Sequence, residues 1–152
     1  HGIGLESRRD DARHRPARGL DFRGRRMKMV FYVAIGGAFG SVARYLTAQW
    51  FGRMFGTGFP WATLTVNIVG SFIMGLLVGL MAHAWSPPAE VRAFLTVGIL
   101  GGFTTFSTFS LDVATMLERG DLGLAAAYVL SSLIVGVGGL FAGLHMVRMV
   151  TA

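Results

Sequence analysis

Ten consecutive residues, Gly101-Gly102-Phe103-Thr104-Thr105-Phe106-Ser107-Thr108-Phe109-Ser110, carry hydroxyls, aromatic rings and paired glycines but no charge and no aliphatic side chain. They lie in the middle of an otherwise apolar stretch. Paired glycines and β-branched threonines weaken a helix, and irregular backbone at membrane depth survives only where it is buried in protein or lines a cavity. A break here frees carbonyls and amides near the bilayer centre, an arrangement membrane proteins use for ion sites. Phe106 and Phe109 sit three apart on one helical face with Ser107, Thr108 and Ser110 beside them; the competing reading is a polar-flecked packing face. Asn67 places an amide within a second apolar stretch. Left unpaired in hydrocarbon, such an amide costs several kcal/mol, so it either bonds a neighbouring helix or faces a water or ion path.

The remaining polar residues narrow the chemistry. No cysteine is present, which removes disulfides, thiolate metal sites and thiol catalysis and leaves the redox compartment open. His83 and His145 fall at expected helix ends as isolated interfacial groups, not as a metal pair. Arg44 is read either as an anchor snorkelling to the interface or as an attractor of anions. Asp112 reads first as a helix-side hydrogen-bonding group. No general base, nucleophile or metal cluster occurs within the apolar segments, so an enzyme is not expected.

Four elements must position these residues. At 53% hydrophobic with 22 glycines in 152 residues and a mean hydropathy of +0.56, the chain is too apolar for an ordinary soluble domain. About 20 residues cross a hydrocarbon core, and four such segments are expected: Val30 to Trp50, Trp61 to His83, Val91 to Leu117 and Leu122 to Val147. Trp50, Trp61 and Trp85 fall at their ends, as interfacial indoles do. Small residues recur at helical spacing (Gly36 and Gly40; Asn67, Ser71, Gly75 and Gly79; Ser132, Gly136, Gly139 and Gly143) and make faces where backbones approach closely. The expected architecture is an all-α integral membrane protein of four transmembrane helices, the third broken mid-membrane. A cleavable signal peptide is not expected, because the first segment is of spanning length, rich in glycine and carries Arg44.

Charge is concentrated before the first span. Residues 1–28 hold nine Lys/Arg against four acids, whereas the rest of the chain holds five against four. The net charge of +6 therefore describes a basic tail, and nucleic acid is not an expected partner. Residues 1–28 are expected to be disordered or loosely apposed to an anionic membrane, and to be a remnant or upstream-start artefact ahead of a four-helix channel domain at 29–152. Without the tail, Lys28, Arg92 and Arg148 on one side nearly balance Arg53 and Arg119 on the other. Such a weak positive-inside bias permits insertion in both orientations.

The Gly101–Ser110 run closely resembles the signature of the Fluc, or CrcB, fluoride channel family. The resemblance extends over the body from Met29: Gly36-Gly37 with Arg44, then Thr65-Val66-Asn67 followed by Gly70-Ser71-Phe72, then the Gly101–Ser110 motif, then Tyr128 with Ser132. It implies an antiparallel, dual-topology homodimer in the cytoplasmic (inner) membrane, with two ion pathways each lined by both subunits. By the same resemblance Phe106 and Phe109 are pore phenylalanines and Asn67 the pore amide. Ser107, Thr108, Tyr128 and Ser132 supply hydroxyls to a polar track, Arg44 faces an aqueous vestibule, and carbonyls of Gly101 and Thr104 hold a structural sodium ion on the dimer axis. Asp112 departs from the glutamate of many relatives and is left out of the pathway. The implied role is passive export that lowers cytoplasmic fluoride.

The residue types suit that ion. Fluoride is small and tightly hydrated, so a selective path replaces its water with uncharged donors, and the electropositive edge of a phenylalanine ring can also face an anion. Two other classes remain as alternatives. A small dual-topology multidrug exporter needs an intramembrane acid in its first helix, where this chain has Arg44 instead, and a non-transporting assembly subunit leaves the polar phenylalanine motif unexplained.

Overall fold

A computed structural model describes the backbone of residues 18–151 and side chains from residue 24 onward. Among the described residues the chain is all helix with no strand: α1 (Arg18–Phe55), α2 (Trp61–His83), α3, α4 (Phe106–Glu118) and α5 (Leu122–Thr151). The α3 segment begins as Ala89–Ala93, widens into a π-helical stretch at Phe94–Leu100 and closes with Gly101–Phe103. Four stretches are long and apolar enough to cross a membrane: Gly24–Phe55, Trp61–His83, Ala89–Glu118 and Leu122–Thr151.

The second span matches its expected limits, and the others are longer at one or both ends. The largest difference is at the start. Helix α1 begins at Arg18, so residues 18–28, expected to lack regular structure, are helical; the earlier part of that tail lies outside the described residues. An arginine-rich stretch has good helix propensity and continues the turn already set by the span that follows.

Glycine decides where helices stop and how closely they pack. Gly120 has φ +81° and ends α4 in a Schellman turn, with its amide donating to the Leu117 carbonyl at 3.0 Å and the Asp121 amide to the Met116 carbonyl at 3.0 Å. Between spans, a Cβ built on Gly36 would lie 2.6 Å from the Phe94 carbonyl and 3.0 Å from Gly98 Cα. Such backbone-to-backbone packing is what glycine permits inside a membrane bundle.

These contacts fix direction. Gly36 and Gly40 meet Phe94, Gly98, Ile99 and Phe103 in rising order, so α1 and α3 run parallel; Gly75 and Gly79 meet Leu140, Leu144 and Val147, so α2 and α5 also run parallel. Because residues 56–60 are all that join α1 to α2, consecutive spans reverse direction. Buried side chains are few, led by Tyr128 at 0% and Val66 at 1% exposure, while large apolar side chains such as Phe39, Leu46, Ile134 and Val150 are exposed on the outer faces. A protein dissolved in lipid has this distribution, since hydrocarbon is as good a solvent for leucine as another leucine.

Candidate functional site: a cleft at the Thr104–Thr105 step

Between α3 and α4 the backbone leaves helical geometry for two residues. Thr104 has φ −79°, ψ 158° and Thr105 has φ −153°, ψ 123°, both extended. The step is held by a side chain from another span. Asn67 Nδ2 donates to the Thr105 carbonyl at 3.0 Å, and the Thr105 amide donates to Asn67 Oδ1 at 2.8 Å. One amide side chain thus satisfies both backbone groups of an extended residue, much as a neighbouring strand would. Thr105 also starts the next helix: its Oγ1 accepts from the Thr108 amide at 3.2 Å and donates to Thr108 Oγ1 at 3.0 Å, an N-cap arrangement.

Two carbonyls lose their helical donors in consequence. In a continuous helix the Thr105 amide would close onto Gly101 and the Thr108 amide onto Thr104; here the first goes to Asn67 and the second to Thr105 Oγ1. The Gly102 carbonyl between them accepts from Arg44 Nε on α1 at 3.1 Å. Thr104 is locked from behind, its amide and Oγ1 both donating to the Leu100 carbonyl at 3.0 and 2.8 Å. Its Cγ2 methyl occupies the space where a Cβ on Gly70 would go.

A cleft of about 380 Å³ opens in front of this step, lined by Asn67, Ser71, Thr104, Thr105, Phe106, Phe109 and Ser132 among others. Phe106 is 79% exposed, and its ring centroid lies 5.7 Å from that of Phe109, which in turn lies 5.2 Å from the Tyr128 ring. The Ser132 hydroxyl is buried without a hydrogen-bond partner, so it is a donor left over for whatever enters. No acidic side chain lines the cleft, and among the described residues no group of three His, Cys, Asp or Glu stands close enough to hold a metal ion.

The expected site residues divide among three environments. Asn67, Phe106, Phe109 and Ser132 share the cleft with Thr104. Arg44 and Thr108 line a neighbouring cavity of about 330 Å³ with Ser41, Tyr45 and Thr63, joined to the cleft through Thr105, while Ser107 stands exposed with its hydroxyl 3.4 Å from that of Thr105. Tyr128 lines neither. Although spaced i,i+4 with Ser132, it is fully buried, donates its hydroxyl to Asp112 Oδ2 at 3.1 Å and packs against the Phe59 ring at 5.5 Å. Gly101 is exposed, and a Cβ built there would meet only the Thr96 carbonyl, at 3.8 Å.

Thr105, which organises the step, is absent from the residues expected on sequence grounds. A local signal existed: a hydroxyl residue three positions before Thr108, at the head of a new amphipathic stretch, is an N-cap pattern. The pairing of Tyr128 with Asp112 had none, because it joins α5 to α4 across 16 residues.

Comparison with known proteins agrees over most of the chain. The family model described as CrcB-like protein, Camphor Resistance (CrcB), matches residues 31–144. A protein of Rhodospirillum centenum named fluoride-specific ion channel FluC is 61% identical over 126 residues, covering 83% of this chain and all of the relative. Its namesake in Agrobacterium fabrum is 57% identical over 76% of this chain and 93% of its own length, and that in Nitrobacter winogradskyi 51% over 82% and 100%.

Proposed function

The chain belongs to the CrcB-like family, and from that premise we propose that it is a fluoride-selective channel of the bacterial inner membrane, passively conducting fluoride out of the cytoplasm. The observation that carries the reading to this chain's own residues is the Asn67 clamp on Thr105, which stands beside Phe106, Phe109 and an unpartnered Ser132 hydroxyl. Fluoride enters the cleft by exchanging hydration water for the remaining Asn67 N–H and the Ser132 hydroxyl, with the edges of the Phe106 and Phe109 rings toward the ion. Ser107 and Thr108, in the first turn of α4, extend the path toward the Arg44 cavity. Tyr128 acts behind Phe109 as a positioning residue. No fixed charge in the cleft traps the ion.

The break in the third span lies near mid-membrane in this reading, since residues 104 and 105 fall at the middle of Ala89–Glu118. Sodium fits the residues present: the Gly101 and Thr104 carbonyls lack their helical donors, and hard cations take oxygen ligands. Bound there, the ion would neutralise those carbonyl dipoles and lock the extended step. The exposure of Phe106 and the open space beside Gly101 support a second copy completing both the cleft and the cation site, in an antiparallel homodimer of the body from residue 29.

Flux from proteoliposomes holding the purified protein tests the reading. Fluoride efflux should need an ionophore to carry counter-charge, while chloride stays inside. Chloride efflux at an equal rate would overturn selectivity, and fluoride efflux without compensating charge would overturn the channel.

A further inference from the structure

Where α2 and α5 end together, three polar side chains converge that the channel reading does not use. His83 ends α2, and His145 and Arg148 stand near the end of α5, three apart and so on one face. With Gly79, Ala82, Phe141 and Leu144 they line a groove of about 440 Å³ that shares no residue with the Phe106 cleft. No acid lines it, and none of the three polar side chains has a hydrogen-bond or ion-pair partner among the described residues. A basic residue in the last turn of a helix is ordinary on dipole grounds. Convergence of three on a groove walled by Phe141, itself 63% exposed, is not explained by dipoles.

The groove is amphipathic along its length. Phe141 precedes Arg148 by seven residues, which at 1.5 Å per residue puts the aromatic wall about 10 Å deeper in the membrane than the guanidinium. The same end of the bundle carries Arg18, Arg23, Arg25, Arg26, Lys28 and Arg92 against Asp21 and Glu90, whereas the other end has Arg53 and Arg119 balanced by Glu118 and Asp121. We propose that this groove seats an anionic phospholipid, its phosphate held among His83, His145 and Arg148 and one acyl chain lying along Leu144 and Phe141. Arginine binds phosphate through its planar fork, neutral histidine still offers one N–H, and the surrounding positive field draws anionic headgroups. The site does not depend on which ion the protein conducts.

Native mass spectrometry of the full chain in a neutral detergent, titrated with phosphatidylglycerol, reads the site directly. Phosphatidylglycerol should occupy the protein ahead of phosphatidylcholine, which has the phosphate but no net charge. Occupancy should fall roughly fivefold in Arg148→Gln, the factor one arginine contributes beside an anionic surface, and further in the His145→Gln/Arg148→Gln double variant. Arg92→Gln, at the same end but lining a different cavity, should lower occupancy less than Arg148→Gln does. An unchanged unfolding midpoint in detergent shows that each variant is folded, and Arg148→Gln alone decides if the double variant does not purify. Equal occupancy by the two lipids, undiminished binding in Arg148→Gln, or displacement of the lipid by millimolar inorganic phosphate would each overturn the proposal, the last by making the groove a free-anion site.

Discussion

Replacing Asn67 separates the two things its amide does. In Asn67→Leu both the amide and the carbonyl of Thr105 lose their partners at 2.8 and 3.0 Å, and each unsatisfied backbone group costs about 1–3 kcal/mol. Both bonds are partly buried, so the lower half of that range applies and the protein should lose about 2–4 kcal/mol. Asn67→Asp is the sharper variant. It keeps an acceptor for the Thr105 amide, but it turns a second carboxylate oxygen toward the Thr105 carbonyl and puts a negative charge where fluoride must pass. Two like charges about 4 Å apart repel by about 4 kcal/mol at an effective dielectric constant near 20, which is roughly a thousandfold in rate. Thermal unfolding in detergent and fluoride efflux measured at rising pH report the two effects on the same preparations. An aspartate variant conducting at the wild-type rate would show that the path does not pass Asn67; a leucine variant as stable as wild type would show that the clamp does not hold the step.

Phe106→Ile and Phe109→Ile should each slow fluoride efflux sharply while leaving dimer assembly, read by cross-linking, intact; normal conduction by both would mean the wrong cleft has been assigned. Arg44→Leu leaves the Gly102 carbonyl without its donor at 3.1 Å and should destabilise the protein by about 1–2 kcal/mol, with partial recovery in Arg44→Lys, as thermal unfolding in detergent would record. Exchanging sodium for a large organic cation during purification should lower the unfolding midpoint, and Thr104→Pro, which removes an amide bonded to Leu100 at 3.0 Å, should abolish the sodium dependence. A chain starting at Met27, carrying a C-terminal reporter, should insert in both orientations, whereas the full chain, with Arg25 and Arg26 at the basic end, should favour that end in the cytoplasm. A single orientation for the shortened chain would rule out the antiparallel homodimer.

Much of the bundle was legible because it depends on neighbours in sequence. Trp61 to His83 is bounded by Pro60 and by an indole at its start, and the second span has those limits. The first boundary was misplaced because charge, used as the sign of a tail, does not itself stop a helix; α1 continues through Arg25 and Arg26 to Arg18. Within the site, Asn67, Phe106, Phe109 and Ser132 line one cleft, whereas Tyr128, its hydroxyl bonded to Asp112, does not.

By itself the sequence determined the solvent, the number of spans, the weak point in the third of them and the family. Hydropathy, segment length and backbone propensity act over a few residues, and a ten-residue signature needs no partner to be read. Only the tertiary structure decided what the weak point becomes. Asn67, 38 residues away, takes both backbone groups of Thr105, and Arg44, 58 residues away, takes the carbonyl of Gly102. Gly101 and Thr104 are thereby left without their helical donors. Which carbonyl is answered and which is left open depends on the register between helices, and that register is set by glycine faces whose partners no local pattern names.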